Sequence, residues 1–208
     1  MNSIQKSIPF VGLHAHSTFS VFDGFGFPSE HMDRAHAHGM DALALTDHGN
    51  MNGLSYQILH AQKMKEEGKN FKPIFGIEAY FIPSITDWRE QYEEAKLDKK
   101  RSKTLEKEGS SGAIVNEEEA GKVDKKSLNR RRHLVLLAAN QKGLENLYTM
   151  ISKSYSDDNF YRYPRMDFDL LRKHSEGVVC LTACMSGVLA GAYWQSREDG
   201  PEAVLASM

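Results

Sequence analysis

Cysteine is nearly absent: Cys180 and Cys184 are the only two thiols among 208 residues. Two cysteines four apart cannot build a disulfide framework, so a reducing compartment, the cytoplasm, is expected. No run of about 18 or more apolar residues occurs, which excludes a transmembrane helix of ordinary length. Met1 to Pro9 lacks the apolar segment of a secretory signal. Neither charge sign dominates: 26 Lys and Arg against 28 Asp and Glu leave a net charge of -2. The whole-molecule field therefore does not announce a nucleic-acid binder, and any DNA contact needs a local patch. A phosphate loop is missing too, because Gly24 to Phe27 (GFGF) has no strand directly before it and no following GK[ST]. What remains is an ordinary globular composition, 40% hydrophobic and 26% charged, long enough for one domain with a core. Histidine, at nine, is the unusual count.

The apolar pattern alternates strand and helix. Phe10 to His16 predicts a short strand, followed by a turn-rich stretch from Ser17 to Pro28. Pro28-Ser29-Glu30 is a helix start and Gly39 its stop. Asp41 to Thr46 (DALALT) has strand length, Gly53 to Glu67 a helical pattern, and Lys72 to Ile82 another apolar run. That rhythm is the rhythm of a parallel α/β architecture. From about 84 to 132 the chain is dense in both charge signs, with a Gly/Ser break at Gly109 to Gly112. A solvated insertion, one charged helix over Trp88 to Lys107 and then a flexible loop, is expected there in preference to a DNA-binding arm. The rhythm resumes with a strand at His133 to Ala139, a helix at Lys142 to Tyr155 and a strand at Gly177 to Thr182.

Metal-ligand residue types fall at the ends of these strands. His14 and His16 are two apart, so on a strand both imidazoles project to one face. Asp47-His48 directly follows an apolar strand, where parallel α/β folds gather their sites. Glu78 lies inside an apolar run, so it either meets a cation or faces water from an edge strand. His133 opens the strand HLVLLAA as a ligand or as a capping histidine. Cys184 can ligate as a thiolate, whereas Cys180, deeper in its strand, is expected to be buried. His31, His36, His38, His60 and His174 are assigned surface or packing roles. Imidazole, carboxylate and thiolate together suit zinc, with manganese or iron as alternatives. The candidates outnumber the four ligands of one tetrahedral ion, and several ions sharing carboxylates suit phosphate-ester hydrolysis.

The segments HAHSTFSVFDG, ALALTDHGNMNG, FGIEAYF, RHLVLLAANQKG, FYRYPRMD and CLTACMSG resemble, in order and wording, the PHP (polymerase and histidinol phosphatase) domain. More narrowly they resemble the branch that opens bacterial DNA polymerase III alpha subunits, over nearly all of residues 1–208 except the insertion at about 84–132. The resemblance implies a distorted (β/α)7 barrel of parallel units, here lacking its C-terminal units, with a cleft for two or three divalent metal ions. It implies as ligands His14, His16, Asp23, His48, Glu78, His133 and Cys184. Asp23 enters only through this match. Asp47 is implied as an orienter beside the catalytic metals, and Arg165 as a cleft arginine that holds a phosphate. Arg132, with Arg130 and Arg131, is a weaker phosphate contact whose alternative is a solvated approach to the strand. The implied function is a metal-dependent phosphoesterase acting as a 3′-5′ exonuclease on a DNA 3′ end in replication. The alternatives are a scaffold or exonuclease-docking module, and a free-standing histidinol-phosphatase-like enzyme. The family's last motif, an Asp and a His, and the polymerase palm, fingers and thumb have no counterpart here. A fragment is therefore expected, partnered by the rest of an alpha subunit or a C-terminal chain and by other replisome subunits.

Overall fold

The computed structural model describes residues 10–107, 128–197 and 199–206. Its centre is β2 (Lys72–Phe81), to which three other strands are hydrogen-bonded. β1 (Ala42–Leu45) pairs in parallel with Lys72 to Phe75, and the pairing runs on through a bridge between His48 and Glu78. β3 (Arg132–Ala138) lies antiparallel along Gly76 to Phe81, with Glu78 opposite Val135 and Tyr80 opposite His133. β4 (Phe160–Tyr161) and β5 (Tyr163–Met166) form a small hairpin, and β5 pairs in parallel with Tyr80 and Phe81. β6 (Val178–Leu181) closes the order β4-β5-β2-β3-β6, antiparallel to β3.

The sheet is thus mixed, which corrects the all-parallel expectation. The reason lies in the connection from β2 to β3. Phe81, the last residue of β2, faces Arg132, the first of β3, so the chain leaves and re-enters the sheet at one end. A strand that returns at the end it left must run antiparallel. The first part of that connection is the charged helix α3 (Ile85–Lys107), longer at its start than Trp88 predicts. The flexible loop expected after it falls largely outside the described residues. Phe10 to His16 makes only an isolated bridge, Gly12 to Leu43, and not the expected strand.

Two apolar layers cover the sheet. Alternation along β2 sends Ile77, Ala79 and Phe81 to one face, where they meet Leu134, Leu136, Met166 and helix α4 (Gln141–Ser154) through Leu147 and Met150. Each such large side chain contributes roughly 1.5–3 kcal/mol when fully buried. The Asn140 side chain caps α4 by accepting from Gly143 N at 2.9 Å. On the other side of β1, helices α1 (Pro28–Ala37) and α2 (Leu54–Glu66) bury Met32, Ala35 and Met64 against Leu43 and Leu45. Pro28 opens α1 and Gly39 follows it at φ +81, both as the sequence predicts. Short helices α5 (Phe168–Lys173), α6 (Val188–Ser196) and α7 (Pro201–Ala206) complete the described chain. Cys180, expected inside, is exposed, because β6 has a neighbour on the β3 side alone among the described residues.

Candidate metal centre

Glu78 and Tyr80 project from the face of β2 opposite Ile77 and Ala79, and Glu78 is fully buried there at 0% exposure. Four main-chain hydrogen bonds draw other segments onto this carboxylate. Thr46 N donates to Ala15 O at 2.8 Å, fixing the His14–His16 segment beside β1. Glu78 N donates to Asp47 O at 3.1 Å, and Gly49 N to Glu78 O at 2.9 Å, which seats His48 next to Glu78. His133 N donates to Ser186 O at 2.9 Å, tying the start of β3 to the loop that carries Cys184. Gly49 has φ +68, and an added Cβ would lie 2.9 Å from the Pro164 ring, so glycine is required at this turn.

The side chains then converge. His14 Nε2, His16 Nε2 and His48 Nδ1 lie 3.0, 2.7 and 3.2 Å from Glu78 Oε2. His133 Nδ1 is 3.0 Å from Oε1, and Cys184 Sγ is 3.6 Å from both Oε1 and His133 Nδ1. Asp23 joins His16 Nδ1 to His48 Nε2, the second contact at 3.2 Å. Three overlapping triads have ligand geometry: His14, His16 and Glu78; His16, Asp23 and His48; His48, Glu78 and His133. Six of the seven ligand candidates fall in these triads, and Cys184 sits against the last. His133 belongs here because β3 is antiparallel: its first residues reach the rim where β1 and β2 end.

The electrostatics follow from this crowding. Burial alone would raise the pKa of Glu78, but hydrogen bonds from His133, His16 and His14 outweigh it and hold the carboxyl below its usual range. Burial likewise opposes charge on His16, yet its bonds to Glu78 and Asp23 win and raise its pKa. For His48 burial prevails over the Glu78 charge, and its pKa is lowered.

Asp47 lies outside these triads. Buried at 3% exposure, it accepts from Ser17 N at 2.6 Å, Ser17 Oγ at 2.8 Å and Ser20 Oγ at 3.0 Å. Ser20 Oγ in turn accepts from His48 N at 2.9 Å. Asp47 therefore knots the loop bearing Asp23 to the loop bearing His48. The structure also corrects two arginines. Arg165 is fully buried and its guanidinium donates to the carbonyls of Tyr161, Tyr163 and Leu128, the last two at 3.0 and 3.2 Å. It packs over the Trp88 ring at 4.6 Å, and burial lowers its pKa to about 10. A guanidinium so enclosed has no face for a phosphate. Arg132 is paired with Phe81 in register and packs on α6, where a Cβ at Gly191 would come within 2.3 Å of its guanidinium. Alternation puts it on the face opposite His133. Arg131 instead stacks on Tyr163 at 3.5 Å and lies 4.9 Å from the Tyr80 ring. Tyr80 stacks parallel to His48, with centroids 5.6 Å apart. Sequence reasoning missed Tyr80, Ser17 and Ser20, although HxHS and the alternation EAY place them beside ligand candidates.

A family model described as "PHP domain" matches residues 12–207. The chain belongs to the PHP domain family. Within it, the chain is 36% identical to DNA polymerase III subunit alpha of Aquifex aeolicus over 86% of this chain and 12% of that one. It is 34% identical to the corresponding subunit of Treponema pallidum over 93% of this chain and 13% of the relative. For Borreliella burgdorferi the identity is 35%, over 94% of this chain and 14% of the relative. This PHP domain thus spans about an eighth of the length of the relatives it matches. A solved amidohydrolase from Chromobacterium violaceum is 20% identical over 69% of this chain and 34% of that one, with a TM-score of 0.35, too loose to inform fold or chemistry.

The donor set of this PHP domain fits divalent metal. Glu78 Oε2 is ringed by three imidazole nitrogens within 3.2 Å, and His48 Nδ1 is buried beside it without a hydrogen bond. A buried polar atom without a partner is costly, and shared cations would satisfy His48 Nδ1 together with the carboxylate and the surrounding imidazoles.

Proposed function

We propose that this PHP domain is a metal-dependent phosphoesterase that removes nucleotides from a DNA 3′ end, in the setting of a polymerase III alpha-like protein. The convergence of four imidazoles and a thiol on the buried Glu78 carboxylate, with Asp23 joining two of the imidazoles, carries this reading. His14, His16, Asp23, His48, Glu78, His133 and Cys184 would hold two or three divalent ions, zinc first by ligand type, manganese or iron next. Such ions supply a nucleophilic water at neutral pH and draw charge from the phosphoryl oxygens. The chain's own residues do the positioning. Glu78 keeps the histidines facing one point, and Asp47 holds the two ligand loops in register through Ser17 and Ser20. Arg131, not Arg132 or Arg165, is the proposed phosphate contact, because its guanidinium rides on Tyr163 and Tyr80 at the cluster's side of the sheet. The proposed partners are the remainder of an alpha subunit or a C-terminal chain, other replisome subunits and the DNA 3′ end.

Elemental analysis of the purified chain, alongside manganese- and zinc-dependent cleavage of a 3′-labelled primer, tests the reading. Two or more ions per chain, and cleavage that disappears in the His14→Ala, His16→Ala double variant, are expected. A double variant with unchanged metal content would sink the ligand assignment.

A further inference from the structure

The turn between the two histidines and α1 carries a feature that metal binding does not use. Phe22 and Phe25 are almost wholly in solvent, at 105% and 92% exposure, and flank Asp23. Phe22 has φ +69, a left-handed conformation that a non-glycine residue adopts at a cost of roughly 1–2 kcal/mol. Glycine would relieve that strain, and a polar residue would end the apolar exposure; the ring does neither. Nor does the loop flap. Thr18 N donates to Gly26 O at 2.9 Å and Gly24 N to Ser20 O at 2.8 Å, while Ser17 and Ser20 are pinned to buried Asp47. At Gly24 an added Cβ would lie 1.8 Å from Ser17 O, so the turn is packed upon itself. His31 Nε2 lies 2.6 Å from Phe25 O and braces the far side from α1. A pinned, strained loop thus holds aromatic rings in water beside the half-exposed carboxylate that joins His16 to His48.

We propose that Phe22 and Phe25 form a stacking platform for the unpaired bases of the strand whose end enters the metal cleft. The inference rests on the phosphoesterase reading and names how its substrate is held. Aromatic rings stack on any base, so such a platform suits a site that must accept every sequence. The loop from Ser17 to Phe27 contains no Lys or Arg to hold a phosphate. Bases rather than backbone therefore face it. A protein partner seated on the two rings would also cover Asp23, whose side chain is 53% exposed, and close that side of the cleft to a strand. Occupation by the substrate itself leaves the cleft usable.

The test uses the full chain loaded with manganese. A short oligothymidylate carries 2-aminopurine at its two 3′-terminal positions, with phosphorothioate linkages that resist cleavage; an unmodified strand reports turnover. Stacking on the rings quenches 2-aminopurine in the wild type. In the Phe22→Leu, Phe25→Leu double variant the quenching is lost and KM for the unmodified strand rises about ten-fold with kcat little changed. Phe22→Trp in the wild-type background keeps both signals. Because both rings are in solvent, circular dichroism and metal content of the leucine variant should match the wild type. Equal quenching and equal KM in the wild type and the leucine variant overturn the platform and turn the rings over to a protein contact. A metal-loaded wild type that quenches without cleaving sinks the phosphoesterase reading and leaves the platform standing.

Discussion

Glu78 is where the site's demands meet. Its carboxylate has no solvent, so its charge is sustained only by the imidazoles around it or by cations in their place. Glu78→Gln keeps the shape and removes the charge, and it should abolish tight metal binding as measured by elemental analysis. It should also change how stability depends on pH. The folded pKa of Glu78 lies below its ordinary 4.5, because bonds from His133, His16 and His14 overcome burial. Its stabilisation is therefore complete above the unfolded value and is lost as pH falls towards the folded one. The metal-free wild type should lose stability through this acid range, and the Gln variant should lose less; parallel acid limbs in urea titrations would refute the assignment. Asp47→Asn tests the orienting knot. One oxygen becomes an NH2 group, so a serine hydroxyl must turn from donor to acceptor or a bond is lost, and the negative charge that these donors face is gone. A loss of about 1–3 kcal/mol in stability and of roughly 10–100-fold in metal affinity is expected, read by urea titration and by calorimetry. Unchanged affinity would mean that Asp47 does not hold the ligands in place.

Elements were far more legible than directions. Pro28 and Gly39 bracketed α1, and the apolar runs DALALT and PIFGIEAYF located β1 and β2, because caps and alternation act over a few residues. HLVLLAA located β3 but said nothing of its direction, since an apolar run has the same pattern read either way. The reversal put His133, at the strand's start, on the same rim as the other ligand candidates. Arg165 was misplaced for a different reason. Whether an arginine on a four-residue strand points to a cleft or to carbonyls of Tyr161 and Leu128 is decided by distant packing. Local cues can also hide a tertiary need, as at Gly143. In the first turn of α4 it resembles an unfavourable helix residue, yet a Cβ there would lie 1.9 Å from Gly177 O, on the turn into β6. Gly143→Ala should therefore destabilise, despite alanine's higher helix propensity, by about 1–3 kcal/mol in a urea titration. A stabilised variant would show that α4 does not press on that turn.

At the scale of the molecule, the candidate ligands come from segments scattered between His14 and Cys184, and β1, β2, β3 and β6 lead into or out of them. An unfolded chain cannot hold that set together, so metal should bind the folded chain selectively and stabilise it. At a free concentration a hundred times the dissociation constant, the gain is about 2.7 kcal/mol, visible as a rise in Tm that a chelator reverses. Protons enter the same balance. Bonds to Glu78 and Asp23 outweigh burial at His16 and raise its pKa, whereas burial leaves His48 with a lowered one. In the metal-free chain His16 thus holds its proton to higher pH than His48 does. A metal that takes His16 must expel that proton. Affinity should then climb as pH rises through the raised pKa of His16 and level off above it. Calorimetry in buffers of different ionisation enthalpy should find proton release near pH 7 and less at higher pH. His16→Ala should weaken binding and reduce the pH dependence, whereas removing His48, whose pKa is lowered, should weaken binding and reduce the pH dependence less. Binding that is as tight at pH 5 as at pH 8 would mean that the metal, if it binds, does so away from these histidines.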